Sequence, residues 1–367
     1  MLLRLLFIIN ISLALMGCVM TDKSTAVIES TSEALPPLEI YWIDVDGGAA
    51  TLIVTHTGES ILVDAGEDRD SHASRIHKVA SQVAGLTQID HFIATHWHGD
   101  HYAGAPRLSE RIPIHNIYDR GLPNENDYRS KADLKGQRVG IEAYAKFARG
   151  RSQVLRPGDT LPLRQADGAP KLMVKCLAVA GKFLPTSGSL SPNQSCAGRV
   201  TMPLDETDNA QSVVLLVTYG RFSFLNTGDL TWEMEAKLIC PVNLIGKVDL
   251  FQISHHGLDT SNNPLLLESI QPRVVVINNA PKKGPEPNTM RTLMSLGGLD
   301  TVWQIHRNVQ TGHELNTAPQ FVANQEGESG EFIKASVHPD GTFSVQVGQN
   351  GVLKEYQVKQ SMTASER

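Results

Sequence analysis

The chain has 367 residues, is 41% hydrophobic and 20% charged, and carries a formal net charge of −6. That composition can bury a core across one large domain or two ordinary ones. The acidic balance argues against a dedicated nucleic-acid binder, which would be basic overall, although a local basic groove remains compatible with it.

In chain order, the first stretch is "MLLRLLFIINISLALMGCVM". A single early cation, Arg4, precedes an apolar run too short and too close to the terminus for a membrane span, so it reads as a secretory signal over residues 1–17. Its end, Leu15-Met16-Gly17-Cys18, resembles a bacterial lipobox, which implies a lipid anchor on Cys18 and a place in the cell envelope. The other reading is an ordinary cleaved signal and a periplasmic or secreted protein. Residues 18–36 are small and polar and read as a flexible tether. Export favours disulfides. With Cys18 set aside, Cys176, Cys196 and Cys240 remain, and the loop-like surroundings of Cys196 and Cys240 make them the expected pair.

One domain is expected from 37 to 347. Strands are expected at 38–45, 50–56 and 59–66, followed by a helix over 71–87 with Ser71 as its N-cap. "IDHFIATH" reads as a strand and "YAGAPRLSERI" as a helix. A polar region over about 119–152 includes the helical pattern "GIEAYAKFARG", and its basic excess suggests either a rim for an anionic substrate or an exposed helix. "QVLRPGDTLPL" and "KLMVKCLAVAG" read as strands, 181–209 as a loop, and "SVVLLVTYG", "RFSFLNTGD", "VDLFQISHHG" and "RVVVINNA" as further strands. "LTWEMEAKLIC" reads as a helix and "FIKASVHPDGTFSVQV" as a hairpin with a Pro-Asp-Gly turn. Residues 348–367 read as a polar tail. Strands in two groups with helices interspersed predict an α/β protein.

Four apolar runs deliver a histidine or aspartate just past their last apolar residue: Asp64, His96, Asp229, and the pair His255 and His256. Sites gather where strand ends converge. The densest cluster is "THWHGDH" at 95–101. Imidazole nitrogen and carboxylate oxygen both suit zinc, at about 2.0–2.2 Å. His96 and His98, two apart, can grip one ion, and Asp100 and His101 a second. Gly99 frees the turn between them, and Asp229 can bridge with its two oxygens. Paired ions of this kind sit about 3.5–4 Å apart and activate a shared water. Manganese or iron are also compatible with this donor set. Trp97 and Tyr102 either line the cleft or simply pack. His306 is a candidate to approach the site from the C-terminal part. Lys282 and Lys283 either meet a phosphate or sit in a solvated loop.

The pattern His96-x-His98-x-Asp100-His101 resembles the signature of the metallo-β-lactamase superfamily. The resemblance implies a four-layered αββα sandwich, with Asp64 in "LVDAG" as a structural buttress, Asp229 in "NTGD" as the bridging carboxylate and "SHHG" as the source of a further ligand, His256 by family pattern. More narrowly, "IDVDGGAATLIV", "TGD" and "SHHGLDTS" resemble the hydrolase domain of competence-type DNA-uptake proteins and related exported hydrolases, which implies attack on phosphoesters. One departure stands out. Where many relatives carry a third-motif histidine, this chain reads "DETDNAQSVVLL", placing Asn209, Gln211 or Ser212 there, so the first ion is expected to be held more weakly. The resemblance therefore implies a metal-dependent, dizinc hydrolase using metal-bound hydroxide on a phosphoester or phosphodiester. Asp100 and His255 would then be the catalytic side chains, and Asn209 a structural neighbour. The alternatives are a β-lactamase or other amide or ester hydrolase, and a non-catalytic metal-binding envelope lipoprotein.

Overall fold

A computed structural model describes residues 35–186, 191–327 and 329–358. The signal-like segment, Cys18 and most of the tether lie outside the described residues, and no described helix is long and apolar enough to cross a membrane.

Six strands come first: β1 (Leu38–Trp42), β2 (Thr51–Val54), β3 (Ser60–Val63), β4 (Ile89–Ile93), β5 (Ile114–Asp119) and β6 (Ser152–Val154). Eight follow: β7 (Leu172–Val179), β8 (Lys182–Phe183), β9 (Val214–Tyr219), β10 (Phe222–Asn226), β11 (Leu250–Gln252), β12 (Val274–Ile277), β13 (Thr301–His306) and β14 (Val322–Asn324). The chain ends with β15 (Ile333–Val337), β16 (Thr342–Val347) and β17 (Leu353–Gln357). They form a nine-stranded sheet, ordered β17-β16-β15-β1-β2-β3-β4-β5-β6, and an eight-stranded sheet, ordered β14-β13-β12-β11-β10-β9-β7-β8.

The period-2 alternation of side chains explains the layering. In β1, Leu38, Ile40 and Trp42 point into a core between the sheets, while Tyr41 points outward. In β12, Val274 and Val276 face the same central core and Val275 and Ile277 face away. The outer face of the first sheet is covered by α1 (Asp70–Lys78), α2 (Gly99–Tyr102), α3 (Ala105–Ser109) and, after the short α4 (Glu125–Ser130), α5 (Ala132–Ala148). The outer face of the second is covered by α6 (Trp232–Ile239), α7 (Pro264–Ile270) and α8 (Pro287–Ser295). The result is the expected αββα sandwich.

Several local expectations are corrected. Ser71 lies inside α1, whose N-cap is Arg69, and the helix gives way at Val79–Val83 to a π turn. The strand expected at "QVLRPGDTLPL" ends at Val154, with only an isolated bridge at Thr160 beyond it. Pro157 and Pro162 lack the N–H that a ladder needs, and Gly158 turns the backbone at φ 101°. The expected polar tail contains β17, paired antiparallel with β16, because Tyr356 alternates inward to stack on Phe343. The Cys196–Cys240 disulfide is present, and Cys176 is a buried free thiol.

Candidate metal centre

The parallel pairs β3–β4 in one sheet and β10–β11 in the other end on the same side of the sandwich. Backbone bonds join those ends: Thr95 O accepts from Val213 N at 3.0 Å, and Gly228 O accepts from His255 N at 3.1 Å. The loop 95–101 is pinned by two more, Asp100 O to Ala49 N and His101 O to Ala65 N. Gly48 is required where that loop meets the turn after β1, since a Cβ there would lie 2.2 Å from Asp100 O.

Each histidine is fixed by the ring nitrogen it turns away from the centre. His101 Nδ1 bonds Asp64 Oδ2 at 2.7 Å, and His256 Nδ1 donates to Asn278 O at 2.9 Å. Thr95 Oγ1 donates to Asp64 Oδ2 and so receives His96 Nδ1–H at 3.0 Å. His98 Nε2 meets Asp133 Oδ2 at 3.1 Å. With those nitrogens carrying the protons, four lone pairs converge: His96 Nε2, His98 Nδ1, His101 Nε2 and His256 Nε2. Partners of this kind set tautomer and ring orientation around a bound metal.

The carboxylate of Asp229 lies at the middle. Its Oδ2 is 3.2 Å from His101 Nε2, 3.3 Å from His256 Nε2, 3.6 Å from His255 Nε2 and 4.0 Å from His96 Nε2. Asp100 Oδ2 lies 3.8 Å from His101 Nε2 and 3.7 Å from His256 Nε2. Donors about 2.1 Å from one tetrahedral ion are about 3.4 Å from each other, so these spacings are those of a ligand shell. His101 Nε2 and His256 Nε2 are buried without a hydrogen-bond partner, and His96 Nε2 and His98 Nδ1 face each other at 3.1 Å. Converging lone pairs of this kind call for a cation, so the residues fit one.

Electrostatics point the same way. Burial alone would raise the Asp229 carboxyl, but the imidazoles of His101, His256 and His255 hold it well below the usual carboxylate range. Burial would lower His101, yet Asp229, Asp64 and Asp100 raise it well above an ordinary histidine. Burial, with His101 and His98 adding, pushes His96 well down, and burial takes His255 down to about 4. The carboxylates thus favour positive charge at His101, while burial prevails at His96 and His255.

The geometry unites His96, His101 and Asp229 in one donor group and Asp100, His101 and His256 in another. His98 joins through His96, and Asp64 stands behind His101 as the buttress. The paired histidines face different partners. The two lie in left-handed conformations, φ 49° and 56°, which turn His256 into the donor shell and His255 toward Asn209, whose Nδ2 is 3.3 Å from His255 Nε2. At the place of the third-motif histidine, Asn209 therefore contacts His255, and Ser212 Oγ accepts from Asp229 N at 3.2 Å.

Other expectations fall away from the centre. Trp97 and Tyr102 are fully buried and pack against Tyr144 rather than lining a cleft. His306 bonds Asp44 at 2.8 Å in a separate cluster already neutralised by Arg75. Three of the basic residues of 119–151 are engaged elsewhere: Arg120 with buried Asp208, Arg138 with Glu125, and Arg151 with Ile114 O. Lys282 is exposed, but Lys283 bonds Asp100 Oδ2 at 2.6 Å and Gly47 O at 2.9 Å. Two further participants went unnoticed in the sequence. Asp133, behind His98, also accepts from Asp208 N, and Asp208 accepts from Trp97 N at 2.6 Å. The acid-rich "DETDN" was the available signal for the latter; nothing local marks Asp133.

Residues 43–173 match the model of the metallo-beta-lactamase superfamily. Recombination protein 2 of Haemophilus influenzae is 36% identical over 89 residues, 23% of this chain and 11% of that protein. Ribonuclease Z of Thermococcus kodakarensis is 30% identical over 93 residues, covering 23% and 27%. The lactamase-like protein aptB of Emericella nidulans is 31% identical over 124 residues, covering 34% and 37%. The matches thus span about a tenth to just over a third of these relatives' lengths. Among solved structures, the chain is similar to CmlA, a diiron beta-hydroxylase from Streptomyces venezuelae, with TM-score 0.38, 16% identity, and coverage of 66% of this chain and 45% of that one. It is also similar to a subclass B3 metallo-beta-lactamase from a soil metagenome library, with TM-score 0.33, 14% identity, and coverage of 74% and 77%. With its αββα layers and its strand-end histidines and aspartates, the chain is similar to the metallo-beta-lactamase superfamily over residues 43–173.

Proposed function

We propose that the protein is a metal-dependent hydrolase acting on a phosphoester or phosphodiester, with zinc as the favoured cation. The observation that carries the reading is the convergence of the His96, His101 and His256 Nε2 lone pairs on Asp229, two of them on buried nitrogens without partners. His96, His98 and Asp229 would hold one ion, and Asp100, His101, Asp229 and His256 a second. Bound there, divalent cations supply a Lewis acid and lower the pKa of water toward neutrality. The chain's own residues then position the reaction. Asp64 and Asn278 O fix His101 and His256 with Nε2 inward, Asp133 fixes His98, and Lys283 holds the Asp100 carboxylate by its Oδ2. His255 stands beside Asp229 at the site's open side, where its ring can hydrogen-bond the substrate or its leaving group. The phosphoester preference is supported by the matches to Recombination protein 2 and Ribonuclease Z.

The test is turnover by zinc-loaded protein of chromogenic phosphodiesters, phosphomonoesters and a cephalosporin, beside an Asp100→Ala control. The reading expects phosphodiester turnover that vanishes in the control. Equal activity in the control would place the chemistry elsewhere, and turnover of the cephalosporin alone would overturn the substrate class.

A further inference from the structure

Next to His255 the surface opens into a cavity of about 470 Å³, within the size range of small-molecule sites. Asn209 and His255 stand in its wall, so it is continuous with the proposed metal centre. The surface it exposes is mostly apolar, from Met202, Pro203, Leu204 and Trp232, with the acidic Asp205, Glu206 and Glu233 also in the wall. Leu204 is 59% exposed and Met202 38% exposed, an unusual expense of apolar surface beside a polar centre.

These side chains have not been left out by accident of a loose loop. Glu233 accepts from Met202 N at 2.8 Å and pairs with Arg199 at 2.9 Å. Trp232 Nε1 donates to Val200 O at 3.2 Å, and the Cys196–Cys240 disulfide ties the loop's start to the end of α6. Polar clamps and a covalent bond thus hold an apolar wall open.

We propose that the cavity is a specificity pocket for an alkyl or aryl group of the substrate, seated between Met202, Leu204 and Trp232 beside His255. This rests on the hydrolase reading and narrows it to amphipathic substrates with an apolar group adjoining the bond that is cut.

The experiment is calorimetric titration of the zinc-loaded full chain with n-alkylphosphonates from methyl to octyl, which bind without being cleaved. Burial of each methylene should tighten binding about fourfold until the cavity is full. In a Met202→Ala/Leu204→Ala double variant, both changes at exposed positions, that dependence on length should disappear while methylphosphonate binds as in wild type. Affinity independent of chain length, retention of the dependence in the double variant, or absence of binding by the octyl member would each overturn the pocket. The hydrolase reading fails separately: length-dependent binding with no ester turned over would leave the pocket standing without the chemistry.

Discussion

Asp64 offers the sharpest test of how the centre is built. Its carboxylate is 1% exposed and accepts three hydrogen bonds: Thr95 N at 2.8 Å, Thr95 Oγ1 at 2.8 Å and His101 Nδ1 at 2.7 Å. Asp64→Asn keeps size and shape but replaces one oxygen by NH2. If the amide oxygen stays on Thr95 N, the new donor faces His101 Nδ1–H. The imidazole must then lose that bond or move its proton to Nε2, the nitrogen meant for the cation. A hydrogen bond to a charged partner contributes about 1.5–3 kcal/mol, or roughly ten- to more than a hundredfold in metal affinity, in line with the cost of altering such outer partners elsewhere, about 10–100-fold. Zinc affinity measured by competition with a chromogenic chelator should fall by that factor, with circular dichroism unchanged. Wild-type zinc affinity in Asp64→Asn would show that the buttress does not set the His101 tautomer.

Other consequences are equally measurable. Glu235 is fully buried, and burial raises its carboxyl to about 7 from 4.5 despite the backbone N–H groups of Asn263 and Asn262 that favour its ionised form. A raised folded-state value means the associated stability is complete below pH 4.5 and lost as pH rises through about 7. Thermal melts should show that decline in wild type and not in Glu235→Gln; parallel curves would refute it. Arg120→Met should cost about 3–5 kcal/mol, because it strands the buried Asp208 carboxylate, and a loss below about 1 kcal/mol in urea titration would show that Trp97 N and solvent suffice. In Gly48→Ala the new Cβ would press on Asp100 O, 2.2 Å away in the present backbone; zinc stoichiometry should drop as the Asp100–His101 loop is displaced, and full stoichiometry would contradict the pinning role.

What could be read from the sequence, and what could not, follows from how far apart the partners lie. His96, His98, Asp100 and His101 crowd one turn, so their chemistry was visible locally. Asp229 and His256 were visible because strand ends are where a layered fold exposes polar groups. The partners that set tautomers and charge are not local: Asp133 lies 35 residues from His98 and Lys283 lies 183 from Asp100. Only the approach of α5 and of the turn after β12 creates those contacts, and no periodicity encodes them. Trp97 was misleading for the converse reason. It sits between two ligands in sequence, but its indole turns into the aromatic cluster under α5 and donates to Gly121 O. Tyr356 was hidden in a polar stretch, where one inward aromatic suffices to add a strand.

The two left-handed histidines have a consequence for how such a site can change. Left-handed backbone is expensive for most residues, but histidine, asparagine and aspartate tolerate it best after glycine. Position 255 is therefore open to a short menu of side chains that all carry hydrogen-bonding groups, or none at all. Along a lineage, substitutions there could exchange one polar function for another facing the cavity, or delete it, without disturbing the neighbouring ligand at 256. The elbow confines variation to chemistry and spares the scaffold, which makes it a natural point of divergence between proteins that share this centre and differ in what they cut.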